Sequence, residues 1–237
     1  MTHDPKDARI AVFKLHMSEF WSGDLGLTLV TLAVTVLIFV IIPLREAGIQ
    51  GRVFLDLIVV ALMVSAALVV NQTRASSVAV VVIVLATAVV LTAGRVHPTL
   101  SLRLLASALV TITLLLYVRI VLLVMFRGGP VTWSRIQGGV CGYLLLGLAW
   151  ASAYQFVEQI HPGAFQFVSP PMDMDQLTAK MVYFSFATLT TVGSDIAPIH
   201  PFVRSMTVME AVVGQLYPAI LIGAVVSMAM IQARTKS

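Results

Sequence analysis

The residues whose chemistry stands out most in this sequence lie between 183 and 198. They read Tyr-Phe-Ser-Phe-Ala-Thr-Leu-Thr-Thr-Val-Gly-Ser-Asp-Ile-Ala-Pro. An apolar run of helical length ends there in Thr-Thr-Val-Gly, and Asp195 begins an Asp-Ile-Ala-Pro sequence. Such a stretch offers hydroxyl and main-chain carbonyl oxygens, which can replace the water around a cation without adding a fixed charge. Its glycine tolerates the positive φ that turns successive carbonyls toward one side.

This stretch resembles the pore helix and selectivity filter of tetrameric potassium channels, whose usual filter is Thr-Val-Gly-Tyr-Gly followed by aspartate. The resemblance assigns four residues to the path of a permeant monovalent cation: Thr191, Val192, Gly193 and Ser194. It assigns three more to filter support and the outer mouth: Thr190, Asp195 and Tyr183. Because one chain supplies one loop, the resemblance implies a homotetramer around a central axis.

The filter departs from the family pattern, since Ser194 stands where Tyr-Gly is expected. In one alignment a residue is deleted and Asp195 matches the family aspartate. In the other, Ser194 replaces the tyrosine and Asp195 replaces the second glycine. We prefer the first, because the second forces an aspartate into a glycine-type conformation. A shorter filter predicts weaker discrimination between potassium and sodium.

The resemblance extends over about residues 138–232 and includes the last hydrophobic segment. Gly214 follows Asp195 by nineteen residues, where the family carries its inner-helix hinge glycine. Close helix packing is the other interpretation of this glycine. The hinge glycine and four residues at helical spacing from it are expected to form the hinge and line the pore: Gly214, Gln215, Pro218, Ile222 and Val226. Ile222 and Val226 could close such a pore by dewetting.

Composition independently indicates an integral membrane protein. Hydrophobic residues make up 59% of the 237 and charged residues 11%, which leaves too little polar surface for a water-soluble globule. The sequence shows no nucleic-acid-binding patch, no metal-ligand spacing of histidines and no enzyme motif. It therefore predicts no cofactor and no catalytic residue. The predicted partners are the lipid bilayer and other copies of the chain.

Hydrophobic runs predict an all-α transmembrane fold of six helices, with a re-entrant pore helix and filter between helices five and six. The spans are approximately 26–44, 53–70, 77–93, 104–126, 138–160 and 202–231. The run from Met174 to Leu189 is too short to cross a bilayer comfortably and suits the re-entrant helix.

Three regions follow from this pattern. Residues 1–24 form an amphipathic leader, 25–130 a four-helix peripheral domain and 131–237 the pore domain. Basic residues divide nine to six in favour of cytoplasmic termini, a weak positive-inside bias, and a cell-membrane location is expected. The fourth span lacks an arginine ladder, so steep voltage gating is not expected. The six residues after Ile231 are too few for a regulatory domain.

Two intramembrane charges are left with open roles. Arg119 is expected to pair with Asp56 of the second span, more as a structural pair than a functional one. Glu210 lies one turn before Gly214, and the sequence allows it either to hydrogen-bond behind the filter or to face the cavity. Two other functional classes remain as alternatives to a channel, namely a secondary cation transporter and a channel-like protein that does not conduct.

Overall fold

The computed structural model describes residues 24–46, 74–97, 99–125 and 132–234. Within these ranges the chain forms seven α-helices and two short strands. In chain order they are α1 (Asp24–Val36), α2 (Ile42–Glu46), α3 (Arg74–Val96), α4 (Leu100–Met125), α5 (Trp133–Ile160), β1 (Phe165–Gln166), α6 (Met174–Leu189), β2 (Ala197–Pro198) and α7 (Pro201–Arg234). A π-helical segment, Leu37–Ile41, joins α1 to α2.

Three of the described helices are long and apolar enough to cross a membrane. They are Leu100–Leu123 of α4, Arg135–Ile160 of α5 and Pro201–Arg234, which is the whole of α7. The apolar parts of the first and third expected spans are helical but shorter, at Val30–Leu44 and Val82–Gly94. The expected second span, residues 1–23 of the leader and Asp56 lie outside the described residues. The fold is therefore a mostly helical membrane protein with three candidate spanning helices in the described part.

The helices pack in an order that places α5 at the centre. α4 and α1 pack against α5, and α3 packs against the outside of α4. Buried hydroxyl groups join these helices, because Thr87 and Thr113 lie 3.2 Å apart between α3 and α4, and Ser152 of α5 donates to the carbonyl of Ser107 at 3.1 Å. Each such contact satisfies a polar group that has no water to bond in an apolar interior.

The short helix α6 lies against α5, α7 and α2. The chain enters it from β1 and leaves it toward β2, and these strands pair antiparallel with Phe165 opposite Pro198. The amides of Ile199 and His200 also donate to the carbonyl of Ala164, at 2.8 and 3.1 Å. The two loops on either side of α6 are thus held together at one end of the helix pair α5 and α7.

Glycines allow α5 and α7 to approach closely. A Cβ on Gly142 would lie 2.5 Å from the Tyr217 hydroxyl, and one on Gly139 would lie 2.8 Å from a methyl of Leu221. The Tyr217 hydroxyl donates to the carbonyl of Gly139 at 2.8 Å. Small residues at such a crossing permit close backbone approach, as is usual for helices in membranes.

Candidate functional site

The helix that leads into the predicted filter has a well-defined start and end. The Asp173 side chain accepts a hydrogen bond from the amide of Gln176 at 2.9 Å and so caps α6, and Asp175 lies in the first turn. Both carboxylates interact favourably with the positive end of the helix dipole. α6 ends at Leu189, where the filter segment begins; we use this name for residues 190–194. The predicted re-entrant helix Met174–Leu189 has the same bounds as α6.

Main-chain hydrogen bonds fold the filter segment back onto the last turn of α6. The amide of Thr191 donates to the carbonyl of Thr188 at 2.9 Å, and the amide of Gly193 donates to the carbonyl of Ala187 at 3.1 Å. The described peptide bonds are all trans, and a trans peptide directs its carbonyl opposite to its N–H. The carbonyls of Thr190 and Val192 therefore point away from α6.

Two residues of the filter segment have positive φ. Gly193 has φ 85°, as expected for its role, and Thr191 has φ 58°, which is uncommon for a residue with a Cβ. Strained backbone of this kind persists where the surroundings fix it, often at functional sites. Asp195 does not have positive φ, so its backbone does not take a glycine-type conformation. The geometry therefore gives no support to the alignment in which Asp195 replaces the second glycine of the filter.

The outer part of the filter segment forms a local turn beside a cavity. The Ser194 hydroxyl donates to the carbonyl of Ile196 at 3.1 Å and accepts from its amide at 3.3 Å, so this side chain is engaged in a local turn. Asp195 and Tyr183 line one cavity of about 240 Å³ together with Lys180, but no hydrogen bond joins Asp195 to Tyr183. Among the described contacts, the two side chains therefore do not support the filter segment through a bond to each other.

The inner end of α6 is held by contacts from both long helices. The Tyr143 hydroxyl of α5 donates to the carbonyl of Leu189 at 3.2 Å. On the other side Gly214 of α7 lies so close that a Cβ there would be 2.8 Å from the carbonyl carbon of Leu189. Gly147 of α5 makes room for the Phe186 ring in the same way. Gly214 therefore packs closely against the end of α6, and α7 runs unbroken past it; the hinge role stays a prediction.

A fully buried polar cluster lies one turn behind this contact. Glu210 of α7 has no exposed surface, and neither has Ser185 of α6 or Tyr154 of α5. The Tyr154 hydroxyl is 2.7 Å from Glu210 Oε2, and the Ser185 hydroxyl is 2.5 Å from Glu210 Oε1. Of the two positions that the sequence left open, Glu210 takes the one behind the filter segment.

Of the residues expected to line the pore, Gln215, Ile222 and Val226 are exposed in the described part of the chain, and Pro218 is half-buried. Gln215 reaches the filter segment, since its Nε2 donates to the Thr191 hydroxyl at 3.2 Å. Ile222 is 63% exposed and Val226 51% exposed, and Pro218 lies within the continuous helix. The described residues bury only three residues of α7, namely Val203, Glu210 and Gly214.

Comparisons with known proteins add one finding. Residues 142–230 match a protein-family model described as "Ion channel". The matched part runs from α5 through α6 and the filter segment into α7. Neither a search of curated proteins nor a search of solved structures found a match. Together with the spanning helices, the match supports a membrane protein of the channel type and points away from an enzyme.

The structure brings together most of the predicted site residues, and it adds some that the sequence did not suggest. Thr190, Thr191, Val192 and Gly193 form one exposed loop beside Gln215 and Gly214, whereas Ser194, Asp195 and Tyr183 lie outside its hydrogen-bonded part. The sequence alone did not point to Tyr143, Ser185 or Tyr154. Their signal was weak, because a single hydroxyl in an apolar span does not reveal which distant group it meets.

Proposed function

We propose that four copies of this chain place their filter segments around one axis and form a passive channel for monovalent cations. The observation that carries the proposal is the direction of the filter amides. Because the amides of Thr191 and Gly193 donate to α6, the carbonyls of Thr190 and Val192 face the opposite side, and residues 190–193 are all exposed in the described part of the chain. Rows of such oxygens can replace an ion's hydration shell.

The exposed surface of α7 supports an assembly of several chains. The described residues bury only three residues of α7, which lie on a single stripe, and leave most of its remaining residues exposed. One row of carbonyls contacts a cation from one side only, so a complete coordination shell requires further copies. Fourfold closure follows from the resemblance to tetrameric channels. Residues 1–24, 25–130 and 131–237 would then be leader, peripheral domain and pore domain of each subunit.

We propose weak selectivity between potassium and sodium, because the filter segment is one residue short and Ser194 is engaged in a local turn. The channel would lie in the cell membrane with both termini cytoplasmic and would lack steep voltage gating. The test is ion flux through the purified protein in liposomes, with potassium and sodium on opposite sides. Rapid flux with a small reversal potential supports the proposal, whereas saturating slow uptake indicates a transporter and no flux a protein that does not conduct.

A matched pair of glycine variants connects any flux to the filter segment. Gly193 and Gly163 have φ of 85° and 87°, and a Cβ would meet nothing within 4 Å at either position. Alanine should therefore cost each site a similar backbone strain, about 1–2 kcal/mol. Only Gly193→Ala should abolish or strongly reduce flux, because Gly163 lies in the turn after α5. Equal flux in both variants contradicts a conducting role for residues 190–194.

A further inference from the structure

The polar cluster around Glu210 contains one more hydrogen-bond acceptor than its hydroxyl donors can serve. The acceptors are the two carboxyl oxygens of Glu210 and the carbonyl of Gly147, and the donors are the hydroxyls of Ser185 and Tyr154. Ser185 Oγ lies 2.5 Å from Glu210 Oε1 and 2.8 Å from the carbonyl oxygen of Gly147. Tyr154 satisfies the other carboxyl oxygen at 2.7 Å. A serine hydroxyl has one hydrogen to donate, so it cannot donate to both of its oxygen neighbours.

The position of one proton resolves this conflict. If Glu210 were ionised, Ser185 would donate to the carboxylate, and its oxygen would face the Gly147 carbonyl at 2.8 Å with no hydrogen between them. If Oε1 carries a proton, the carboxyl group donates to Ser185, Ser185 donates to Gly147, and Tyr154 donates to Oε2. Each contact then has one donor and one acceptor, as buried polar groups require.

The surroundings of Glu210 favour the same state. Among the described residues, no lysine, arginine or histidine pairs with Glu210, and the titratable groups that face it are Tyr154 and Tyr143 of α5. α6 presents only the Ser185 hydroxyl to it. A buried carboxylate without a cationic partner is costly, whereas a neutral carboxylic acid can donate a hydrogen bond.

We propose that Glu210 is a protonated carboxylic acid that links α7 through Ser185 of α6 to Gly147 of α5, and that it is a positioning residue for the filter segment. The second part rests on the proposed function. Ser185 lies two residues before Ala187, whose carbonyl accepts the Gly193 amide. A shift of α6 at Ser185 therefore moves the acceptor that orients the Val192–Gly193 peptide.

Infrared difference spectroscopy tests the protonation state in the intact protein. Wild type minus Glu210→Gln should show the carbonyl stretching band of a carboxylic acid at neutral pH. The matched control is Glu158→Gln, because the Glu158 carboxyl group accepts two backbone amides at 2.9 and 3.1 Å and is expected to show carboxylate bands instead. A carboxylate band lost in the Glu210→Gln spectrum overturns the protonated state.

Hydrogen exchange of residues 187–193 tests the positioning role without requiring conduction. Glutamine at residue 210 can donate from its amide to Ser185 and accept from Tyr154, so exchange should stay close to wild type. Glu210→Leu and Ser185→Ala each interrupt the series of hydrogen bonds from Glu210 to Gly147. Exchange of the amides of residues 187–193 should then rise about two- to tenfold, the effect of one net hydrogen bond. The control is Ser152→Ala, which removes another buried hydroxyl that donates to a carbonyl away from the filter segment.

The outcomes separate this inference from the proposed function. If hydrogen exchange in Glu210→Leu and in Ser185→Ala equals that in the Ser152→Ala control, the positioning role is overturned, even if the protein conducts. If wild type passes no ions, the channel proposal fails, while the infrared and exchange results still decide the state and role of Glu210. In a conducting protein, Glu210→Gln should keep the reversal potential of wild type and Ser185→Ala should shift it.

Discussion

Replacing Gly214 by alanine should push α7 away from the end of α6 and disturb the filter segment. The added Cβ would overlap the carbonyl oxygen of Leu189 and lie 2.8 Å from its carbonyl carbon. Ordinary van der Waals contact begins near 3.4 Å, so the helices must move apart by at least about half an ångström, a distance that an overpacked interior resists. Leu189 directly precedes Thr190, so the displacement reaches the base of the filter.

The expected stability change combines two opposing effects. Alanine favours a helix over glycine by about 0.5–1 kcal/mol, whereas overpacking costs about 1–3 kcal/mol. Gly223 of the same helix is the matched control, because a Cβ there meets nothing within 4 Å. Gly223→Ala should be neutral or slightly stabilising, and Gly214→Ala should be less stable than it by about 1–3 kcal/mol.

Thermal unfolding of the purified variants and flux in liposomes provide the measurement. Gly214→Ala should lower both the unfolding temperature and the flux relative to Gly223→Ala. A purely hinge-like role for Gly214 would lower flux while leaving stability unchanged or raised. If the two variants have the same stability and the same flux, the contact between Gly214 and Leu189 has no importance, and the close-packing interpretation is wrong.

Three further variants test neighbouring contacts. Tyr143→Phe removes the hydrogen bond to Leu189 but keeps the ring, and should cost about 0.5–1.5 kcal/mol in thermal unfolding; unchanged stability would show that this contact contributes nothing. Gln215→Leu removes the donor to the Thr191 hydroxyl at 3.2 Å and should change the potassium-to-sodium ratio measured from reversal potentials, which stays constant if that contact is irrelevant. Ile222→Ser makes a dewetting constriction polar and should raise resting flux; flux equal to wild type would place the closure elsewhere.

The sequence predicted the elements of the site well, because their signals are local. The bounds of α6 follow from an apolar run between polar residues and prolines, and the positive φ of Gly193 follows from its lack of a Cβ. The third to sixth expected spans correspond to α3, α4, α5 and α7 with small shifts at their ends. These features depend on residues within a few positions of one another, so the pattern alone carries the information.

The contacts that hold the filter segment could not be predicted in this way. Tyr143 meets the carbonyl of Leu189 across 46 positions, and Tyr154 meets Glu210 across 56. Each hydroxyl has many potential acceptors in an apolar protein, and only the packing of α5 against α6 and α7 selects one. The positive φ of Thr191 was missed for the same reason, since surrounding contacts rather than residue type impose it. Glu210 alone gave a signal, as an acidic residue within a spanning helix.

The described contacts that support the filter segment are distributed unequally along its length. At the inner end Tyr143, Gly214 and the Glu210 cluster all fix the last turns of α6. At the outer end the Ser194 side chain bonds to Ile196 within a local turn, and a cavity of about 240 Å³ borders Tyr183 and Asp195. The described contacts that hold the segment against neighbouring helices therefore lie mainly at its inner end. If the segment conducts as proposed, variation in this region should act on conduction chiefly through α6 and the faces of α5 and α7 that hold it.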